Sequence, residues 1–400
     1  MLSGKTAVLA ITGSIAAYKA ANIARILKKQ NCNVVVLMTQ NATNFINPIT
    51  FETLTGNKCL INTFDRNFQY SVEHVALAKQ ADVVLVAPAS ANVIGKIANG
   101  LADDMLTTTV MACTCKKIIA PAMNHNMYHN PIVQDNLKKL ENFGYQVIKP
   151  AKGMLANGDT GDGRMPDEDI LAEYVISEIA HEKDLKGKNI LITAGATQEP
   201  IDPVRFITNH SSGKMGFAAA KAAQQRGAKV TVVCGRTEAK PPLFADIIRV
   251  GSAKEMFSEI KKIHKNFDWI IKAAAVADYT PKTVASSKIK KSDGDMKIEL
   301  ERTDDILAYL GQNKQEGQII CGFSMETDNV LENSRKKLSS KNCDLICANS
   351  INRENGGKTG FKSDTNALTI ITPNGEFETG IVTKEQAAHK IFDIMKTIKK

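Results

Sequence analysis

The sequence predicts an α/β protein of two domains, of which the first is a doubly wound parallel sheet and the second a further α/β sheet. Its 400 residues, 43% of them hydrophobic, suffice for two separate cores. Short Val- and Ile-rich runs alternate with helical patterns, which is typical of parallel sheets. A charged segment at 182–188 lacks apolar spacing, and the pattern restarts after it. We therefore predict domains at 1–181 and 189–400, joined by a linker.

The first domain is predicted to contain five strands, each short and bounded by turn residues. These strands are Thr6 to Ile11, Asn33 to Met38, Asp82 to Ala87, Lys117 to Ala120 and Tyr145 to Ile148, with helices at 15–30, 131–142 and 167–182. Residues 152–166 hold four glycines and no hydrophobic periodicity. That composition predicts a mobile loop that covers a ligand of the preceding strands.

The second domain is predicted to repeat the alternation of strands and helices. Its strands are Ile190 to Ala194, Lys229 to Cys234, Trp269 to Ala273, Gln318 to Phe323 and Leu345 to Ala348. A hairpin turned by Pro373-Asn374-Gly375 and a helix from Thr383 close the domain. In sheets of this kind ligands bind beyond the carboxyl ends of the strands, so the loops there are the candidate sites.

Charge and cysteine usage limit the function classes. The formal net charge is +9, but the lysines are spread along the chain, without aromatic interleaving or zinc-finger spacing, which favours phosphorylated small molecules over nucleic acid. The eight cysteines include no Cys-x-x-Cys pair, so we expect reduced, buried thiols of a cytoplasmic protein. No stretch approaches 18 apolar residues, and no membrane span is predicted.

Three loops carry patterns suited to anions. Thr12-Gly13-Ser14-Ile15 opens a helix, where backbone N–H groups favour a phosphate, although an N-cap alone accounts for it equally well. Three lysines within 288–291 follow two serines, with a solvated face as the alternative. The run Asn209-His-Ser-Ser-Gly-Lys-Met-Gly216 resembles a phosphate cradle without matching the Walker spacing. Two anion sites in one half suggest a polyphosphate.

The first half contains five motifs beside its predicted strands. They read Gly13-Ser-Ile-Ala-Ala-Tyr-Lys19, Ser71-Val-Glu-His74, Ala87-Pro-Ala-Ser-Ala-Asn92, Pro121-Ala-Met-Asn-His-Asn-Met127 and Gly158-Asp-Thr-Gly-Asp-Gly-Arg-Met165. Together they resemble the flavin-dependent cysteine decarboxylases. The resemblance implies a flavodoxin-like fold that binds FMN and decarboxylates 4'-phosphopantothenoylcysteine by way of thiol oxidation.

The same resemblance implies roles for single residues. His74 matches the active-site histidine, which handles protons at the thiol, and Asn124 matches the asparagine that binds the substrate carboxylate. Packing is the alternative for an isolated histidine. Met127 and Arg164 are further expected substrate contacts. The expected FMN contacts are Gly13, Ser14, Thr39, Ser90 and Thr107.

The second half carries another set of motifs. They read Ile192-Thr-Ala-Gly-Ala-Thr, Glu199-Pro-Ile-Asp-Pro-Val-Arg205, Thr208-Asn-His-Ser-Ser-Gly-Lys-Met-Gly216, Ala273-Ala-Ala-Val-Ala-Asp-Tyr279, Lys288-Ile-Lys-Lys291 and Asp344-Leu-Ile-Cys-Ala-Asn349. This set resembles the phosphopantothenate-cysteine ligases, and both sets together resemble the bacterial bifunctional proteins of coenzyme A biosynthesis. The resemblance implies a Rossmann-like ligase domain that uses CTP and Mg²⁺ to join cysteine to 4'-phosphopantothenate through an acyl-cytidylate.

The ligase resemblance also assigns residues. Lys288 matches the lysine needed to form the acyl-cytidylate, and Asn209 matches the residue that handles this intermediate, with a helix-entry turn as its alternative. Arg205 is an expected partner of the substrate phosphate. The sequence does not identify the Mg²⁺ ligands. The expected CTP contacts are Ser211, Ser212, Lys214, Ala274, Ala275, Asp278, Lys288, Phe323, Lys337 and Lys341.

One residue departs from the family pattern. Where the family has a cysteine that protonates the enethiolate left by decarboxylation, this chain has Asn157. A thiol can give up a proton, whereas an amide does not titrate. Three interpretations follow: a replacement that traps an intermediate, another proton donor, or a degenerate decarboxylase half. We predict decarboxylation to the enethiol with poor reduction to 4'-phosphopantetheine.

Two other function classes stay open at this point, a ligase whose flavin half is impaired or only binds FMN, and a non-enzymatic FMN-binding regulator. A regulator is expected to have long acidic extensions and no ligase motifs. This sequence has no long acidic extension, and it does have the ligase motifs. The resemblance further implies a homo-oligomer, with trimers of the decarboxylase half and dimers of the ligase half combining into a dodecamer.

Overall fold

The computed structural model describes residues 2–64, 73–154, 158, 160–290, 296–326, 329–350 and 363–398. The chain divides into two compact units, Met1–His181 and Glu182–Lys400. Both units are α/β, which confirms the predicted fold class. None of the helices in the described ranges combines the length and the apolar character that crossing a bilayer demands.

The first unit is built on a parallel sheet of five strands in the order β2-β1-β3-β4-β5. The strands are β1 (Thr6–Ile11), β2 (Asn33–Met38), β3 (Val83–Ala89), β4 (Lys116–Pro121) and β5 (Gln146–Val147). The helices are α1 (Lys19–Lys29), α2 (Pro48–Thr55), α3 (Glu73–Gln80), α4 (Ala91–Ala98), α5 (Met105–Ala112), α6 (His125–Tyr128), α7 (Pro131–Asn142) and α8 (Glu168–Ile179). Because the strand order reverses between β1 and β3, a crevice opens at the carboxyl ends of these two strands.

The central strand β1 explains why helices cover both faces of this sheet. All six of its residues are buried. Successive side chains of a strand point to opposite faces, and here Leu9 belongs to one hydrophobic core and its neighbour Val8 to the other. Burying each such aliphatic side chain stabilises the fold by about 1.5–3 kcal/mol. A strand without a polar face is what a doubly wound sheet requires.

The glycine-rich stretch predicted as a loop contains an antiparallel hairpin, so the loop prediction was wrong in part. The strands are β6 (Ala151–Met154) and β7 (Thr160–Arg164), and they pair across residues of which 155–157 and 159 lie outside the described structure. Gly163 has φ 133°, and a Cβ atom there would lie 2.2 Å from the carbonyl oxygen of Met123. The glycines therefore permit close contact between the hairpin and the segment before α6.

The second unit has a mixed sheet of eight strands in the order β12-β11-β8-β13-β16-β17-β18-β19, antiparallel only among the last three. The strands of this unit are β8 (Asn189–Ala194), β9 (Gln198–Pro200), β10 (Phe206–Thr208), β11 (Lys229–Cys234), β12 (Asp246–Arg249), β13 (Trp269–Lys272), β14 (Tyr279–Pro281), β15 (Leu300–Arg302), β16 (Ile319–Glu326), β17 (Leu345–Ser350), β18 (Thr365–Thr372) and β19 (Gly375–Thr383). The pairs β9–β10 and β14–β15 form separate two-stranded sheets. The helices are α9 (Lys214–Gln225), α10 (Ala253–Ile263), α11 (Ile306–Gln312), α12 (Val330–Ser340) and α13 (Lys384–Thr397).

Local signals set the ends of this unit. The predicted closing helix begins with a capping box, in which the Thr383 side chain accepts from the Gln386 N–H while the Gln386 side chain accepts from the Thr383 N–H. At the other end, Leu185 of the predicted linker is buried in the core of the second unit. Asp184 pairs with Arg226 at 2.6 Å. The segment is therefore packed against the second unit.

Candidate functional site

A cavity of about 520 Å³ lies at the switch point of the first unit, the place between β1 and β3 where the strand order reverses. It is lined by the loops that follow β1, β3 and β4 and by the hairpin β6–β7. Its size is within the range of cofactor sites. Its lining residues are Gly13, Ser14, Ile15, Ala16, Tyr18, Lys19, Ser90, Ala91, Ala122, Met123, Asn124, Met127, Met154, Gly163, Arg164 and Met165.

The buried Thr12 side chain joins the loops after β1 and β3. Its hydroxyl donates to the carbonyl oxygen of Pro88 at 2.7 Å and accepts from the backbone N–H of Ser90 at 2.9 Å. Gly13 follows directly, and a Cβ atom there would lie 2.8 Å from Cβ of Asn41. The backbone after β1 is thus fixed in a crowded cradle that admits glycine alone without displacement of its neighbours.

The predicted contacts Gly13, Ser14 and Ser90 all line this cavity. Ser14 and Ser90 also cap helical segments, since their hydroxyls accept from the N–H groups of Ala16 at 3.3 Å and Val93 at 3.4 Å. Ser14 therefore caps a helical segment and also lines the cavity, so its role as an N-cap does not compete with its expected contact with a ligand.

The substrate contacts predicted in this half line the same cavity. Asn124 caps α6, and its Oδ1 accepts from the Asn126 N–H at 2.9 Å. Arg164, at the end of β7, lies 3.1 Å from Asp167. The sequence analysis missed Lys19, whose buried ammonium lies 3.6 Å from Asp167. A basic residue in the first turn after the Gly-Ser loop was the signal that could have indicated it.

Three predicted residues are not brought to this cavity. The Thr39 hydroxyl accepts from the Ala42 N–H at 3.2 Å, and the Thr107 hydroxyl accepts from the Asp104 N–H at 3.3 Å in the capping box of α5, so both take part in helix caps. His74 lies half-buried in the first turn of α3 and is not among the lining residues. Asn157 lies outside the described residues.

A second cavity, of about 510 Å³, lies at the carboxyl ends of β13 and β16 in the second unit. Four of the predicted CTP contacts line it, namely Asp278, Phe323, Lys337 and Lys341. Lys272 and Arg302, which the sequence analysis missed, add two further cations to its wall. A cavity with four basic side chains suits a ligand with several negative charges.

Burial and pairing tune the charges in this second cavity. Burial lowers the pKa of Lys272, while Asp305 and Asp278 oppose that shift. Burial also acts to raise the pKa of Asp305, but the hydrogen bonds from Lys341 and the Ala308 N–H, with the positive charges of Lys341 and Lys272, together outweigh it and keep this pKa below its usual value. Lys341 and Asp305 lie 2.8 Å apart. The cations here are therefore partly desolvated and partly matched by carboxylates.

A third cavity, of about 170 Å³, lies before α9. It contains Asn209, Ser211 and Ser212, together with Arg236, which the sequence analysis missed. The Asn209 amide donates to the carbonyl oxygen of Val276 at 3.1 Å, in the alanine-rich run after β13. In that run the Ala274 N–H donates to the Thr193 hydroxyl and the Ala275 N–H to the Gly195 carbonyl oxygen. These bonds hold the segment after β13 against the carboxyl end of β8.

Lys288 is exposed and lines neither cavity of the second unit. Its neighbour Ile289 is held by Asp202 and Arg205 through backbone contacts at 3.2 and 3.0 Å. Arg205 thus contacts the protein itself, and its expected contact with a substrate phosphate stays a prediction. Lys214 lies 2.6 Å from Asp364 and belongs to neither cavity lining.

Fold and cavities together define a two-domain α/β protein, with a flavodoxin-like unit that has a cavity at its switch point and a Rossmann-like unit that has a lysine-rich cavity. The Flavoprotein family model matches residues 1–180. The model of the DNA/pantothenate metabolism flavoprotein C-terminal domain matches residues 185–398. The chain belongs to the family of coenzyme A biosynthesis bifunctional proteins, as full-length relatives show.

Two such relatives represent this similarity. The coenzyme A biosynthesis bifunctional protein CoaBC of Bacillus subtilis is 43% identical over 404 residues, covering 100% of this chain and 98% of the relative. The protein of the same name from Escherichia coli is 39% identical over 395 residues, covering 98% and 97%. A crystal structure of the C-terminal domain of a CoaBC protein is 41% identical, with a TM-score of 0.46, and covers 54% of this chain and 97% of that domain. The predicted bifunctional enzyme, with a decarboxylase half and a ligase half, is confirmed by the family.

Proposed function

We propose that this chain carries out two successive reactions of coenzyme A biosynthesis. The ligase half joins cysteine to 4'-phosphopantothenate at the expense of CTP, and the decarboxylase half then removes CO₂ from 4'-phosphopantothenoylcysteine with FMN as cofactor. The observation that carries the proposal is the presence of two different cavities in one chain, one at a flavodoxin-type switch point and one lined by four basic side chains.

In the ligase half, the carboxylate of 4'-phosphopantothenate attacks the α-phosphorus of CTP, and pyrophosphate leaves. The amine of cysteine then attacks the acyl carbon, and CMP leaves. Two anions must meet in the first step, so cations are needed. We assign Lys272, Lys337 and Lys341 to the nucleotide phosphates, because all three line the second cavity. Lys288 acts on the α-phosphate of the transferred cytidylyl group from its own loop, and Asn209 donates to the acyl carbonyl.

Mg²⁺ fits the donor set of the second cavity. Asp278 and Asp304 contribute carboxylates to its wall, and carboxylate oxygens are the donors that Mg²⁺ takes beside substrate phosphates. We assign these two residues to the ion that accompanies CTP. An ion held there would lower the negative charge that the attacking carboxylate meets.

In the decarboxylase half, the cradle at Gly13 and the capped helical start at Ser14 fit the phosphate of FMN, because backbone N–H groups of such a turn favour an anion. FMN supplies the oxidation of the cysteine thiol and the later return of electrons. The imidazole of His74 accepts the thiol proton. The Oδ1 of Asn124 already accepts a bond within the turn, so its Nδ2 is the group that donates to the substrate carboxylate.

The position of His74 supports an oligomeric decarboxylase half. This histidine is not among the residues that line the cavity of its own chain, and we propose that it acts at the cavity of a neighbouring copy. That arrangement agrees with trimers of the first unit, and dimers of the second would complete a dodecamer. We further propose a cytoplasmic location, which the eight unpaired cysteines support.

The proposal is tested with purified protein. FMN should co-purify, and anaerobic addition of 4'-phosphopantothenoylcysteine should bleach its absorption. Addition of 4'-phosphopantothenate and cysteine without CTP should leave the absorption unchanged, and CTP with Mg²⁺ should then restore bleaching. Bleaching by CTP alone, or none with the preformed substrate, would contradict it.

A further inference from the structure

A cluster of two histidines and one aspartate lies where α6 meets the hairpin strand β7, and the proposed reactions do not use it. Within the described ranges, His125, His129 and Asp162 are the one group of three metal-ligating residue types whose ligand atoms all lie within 4.8 Å of one another. We propose that these residues bind a divalent transition-metal ion, of the class of Zn²⁺ or Ni²⁺, and that the ion fastens the hairpin to α6.

The helix supplies two of the ligands in a suitable arrangement. His129 follows His125 by four residues, and its backbone N–H donates to the His125 carbonyl oxygen at 3.0 Å, so one helical turn separates the two rings on one face. Their ring centroids are 4.4 Å apart. Paired histidines at this spacing are an established way to hold zinc.

The hairpin supplies the third ligand. His129 Nε2 lies 3.1 Å from Asp162 Oδ2. Two ligand atoms that each lie about 2.0–2.1 Å from a tetrahedral zinc ion are about 3.3 Å apart, so this pair is already at ligand spacing. The Asp162 N–H donates to His125 Nδ1 at 3.1 Å, and an ion that takes this lone pair replaces that hydrogen bond.

The chemistry of the set decides the class of ion. Two imidazoles with one carboxylate suit zinc, nickel and related metals, whereas Mg²⁺ prefers oxygen donors throughout. Three protein ligands leave a coordination position for water. The close approach of the two elements is built in, because a Cβ atom at Gly161 would lie 2.7 Å from His125 Nδ1.

Binding would act on the wall of the switch-point cavity. Asn124 and Met127 line it from the side of α6, and Gly163 and Arg164 line it from the hairpin. An ion shared by α6 and β7 therefore holds two parts of one wall together. This role is independent of the proposed reactions, since it requires neither substrate nor FMN chemistry.

Zinc titration of the full-length, FMN-loaded protein tests the site. Calorimetry without nucleotide should show one Zn²⁺ per chain at this site, undisturbed by excess Mg²⁺. H129Q and D162N should each weaken this binding by about tenfold or more, while D135N, which changes an exposed carboxylate on α7, should not. Equal FMN content establishes that the variants are folded. Zinc binding that is missing, or equal in all four proteins, overturns the site.

Hydrogen exchange tests the fastening. Zn²⁺ should slow exchange of the β7 amides several-fold in the wild-type chain, except at Asp162, whose N–H loses its acceptor to the ion, and should leave exchange unchanged in H129Q. If zinc binds at these residues but exchange in β7 stays the same, the proposed fastening is wrong.

Discussion

Asp202 holds Arg205 in a two-point contact, with Arg205 Nε at 2.9 Å and Nη2 at 2.5 Å from one carboxylate oxygen. The same oxygen accepts the Ile289 N–H at 3.2 Å, and Arg205 also donates to the Ile289 carbonyl. The pair thereby clamps both backbone groups of the residue beside Lys288. The hydrogen bond from Arg205 keeps the pKa of the buried Asp202 well below its usual range.

The clamp predicts a positioning role for Asp202. In D202N the backbone at Ile289 is held less firmly, so Lys288 should be displaced. A displacement of about 1 Å at a reacting group costs on the order of 100-fold in rate. We expect acyl-cytidylate formation to slow by that order in single-turnover quench experiments, while the Kd of CTP changes little. D246N, an exposed change on β12, serves as the control. A D202N chain with wild-type rates would show that the clamp has no function.

Lys288 itself should be essential for activation of the substrate. In K288Q the cation that offsets the meeting of carboxylate and phosphate is lost, so labelled acyl-cytidylate should fall below detection. The matched variant K290Q removes another exposed lysine of the same loop and should retain most of the intermediate. An undiminished intermediate in K288Q would remove this residue from the mechanism.

Asn157 should limit the final protonation of the decarboxylase half. Because an amide does not titrate and a thiol does, N157C should convert more of the enethiol into 4'-phosphopantetheine, about tenfold or more by the scale of general acid catalysis. The measurement is anaerobic product analysis by mass spectrometry. A156C places a thiol one residue earlier and should give no gain. Equal yields from the wild-type chain and N157C would contradict the assignment.

Acid should weaken the second unit through Asp184. Hydrogen bonds from Arg226 at 2.6 and 2.8 Å, assisted by Lys396, hold the pKa of Asp184 well below its usual range. A carboxylate whose pKa is lower when folded contributes stability above its unfolded pKa of about 3.9, and this contribution is lost as pH falls below that value.

The expected result is that the difference in free energy of unfolding between the wild-type chain and D184N becomes smaller as the pH falls. At pH 7, D184N should lower the free energy of unfolding by about 2 kcal/mol, the value of a charged hydrogen bond, and the difference should shrink towards pH 3. Trp269, the one tryptophan of the chain, is buried in this unit and reports its unfolding in urea. A difference that stays constant from pH 7 to pH 3 would show that the pair does not titrate as described.

The sequence predicted the fold where apolar periodicity is strong. β1 and β11 were predicted with their observed bounds because five successive positions of β1 are apolar and β11 has apolar residues at every second position. The hairpin β6–β7 was missed because its glycines carry no such pattern, and the close approach of Gly163 to the backbone of Met123 is a tertiary contact that no local pattern reveals. The edge strand β12 escaped because four residues, two of them charged, give no periodic signal.

The candidate site was predictable to the extent that its residues follow strands directly. Gly13, Ser14 and Ser90 meet because β1 and β3 are neighbours in the sheet. Thr39 and Thr107 were expected beside them but cap helical turns, which the residue types alone predict equally well. Lys272 is the last residue of the apolar strand β13, and the sequence gives no sign that its side chain lines a cavity. That position follows only from the order of the strands in the sheet.

Product analysis from the simplest substrates tests the central proposal most directly. Purified protein receives 4'-phosphopantothenate, cysteine, CTP and Mg²⁺ under anaerobic conditions, and masses are followed with time. We predict CTP-dependent formation of 4'-phosphopantothenoylcysteine with CMP and pyrophosphate, followed by a species that has lost CO₂. Accumulation of 4'-phosphopantothenoylcysteine without any loss of CO₂, or its formation without CTP, would contradict the proposed pair of reactions.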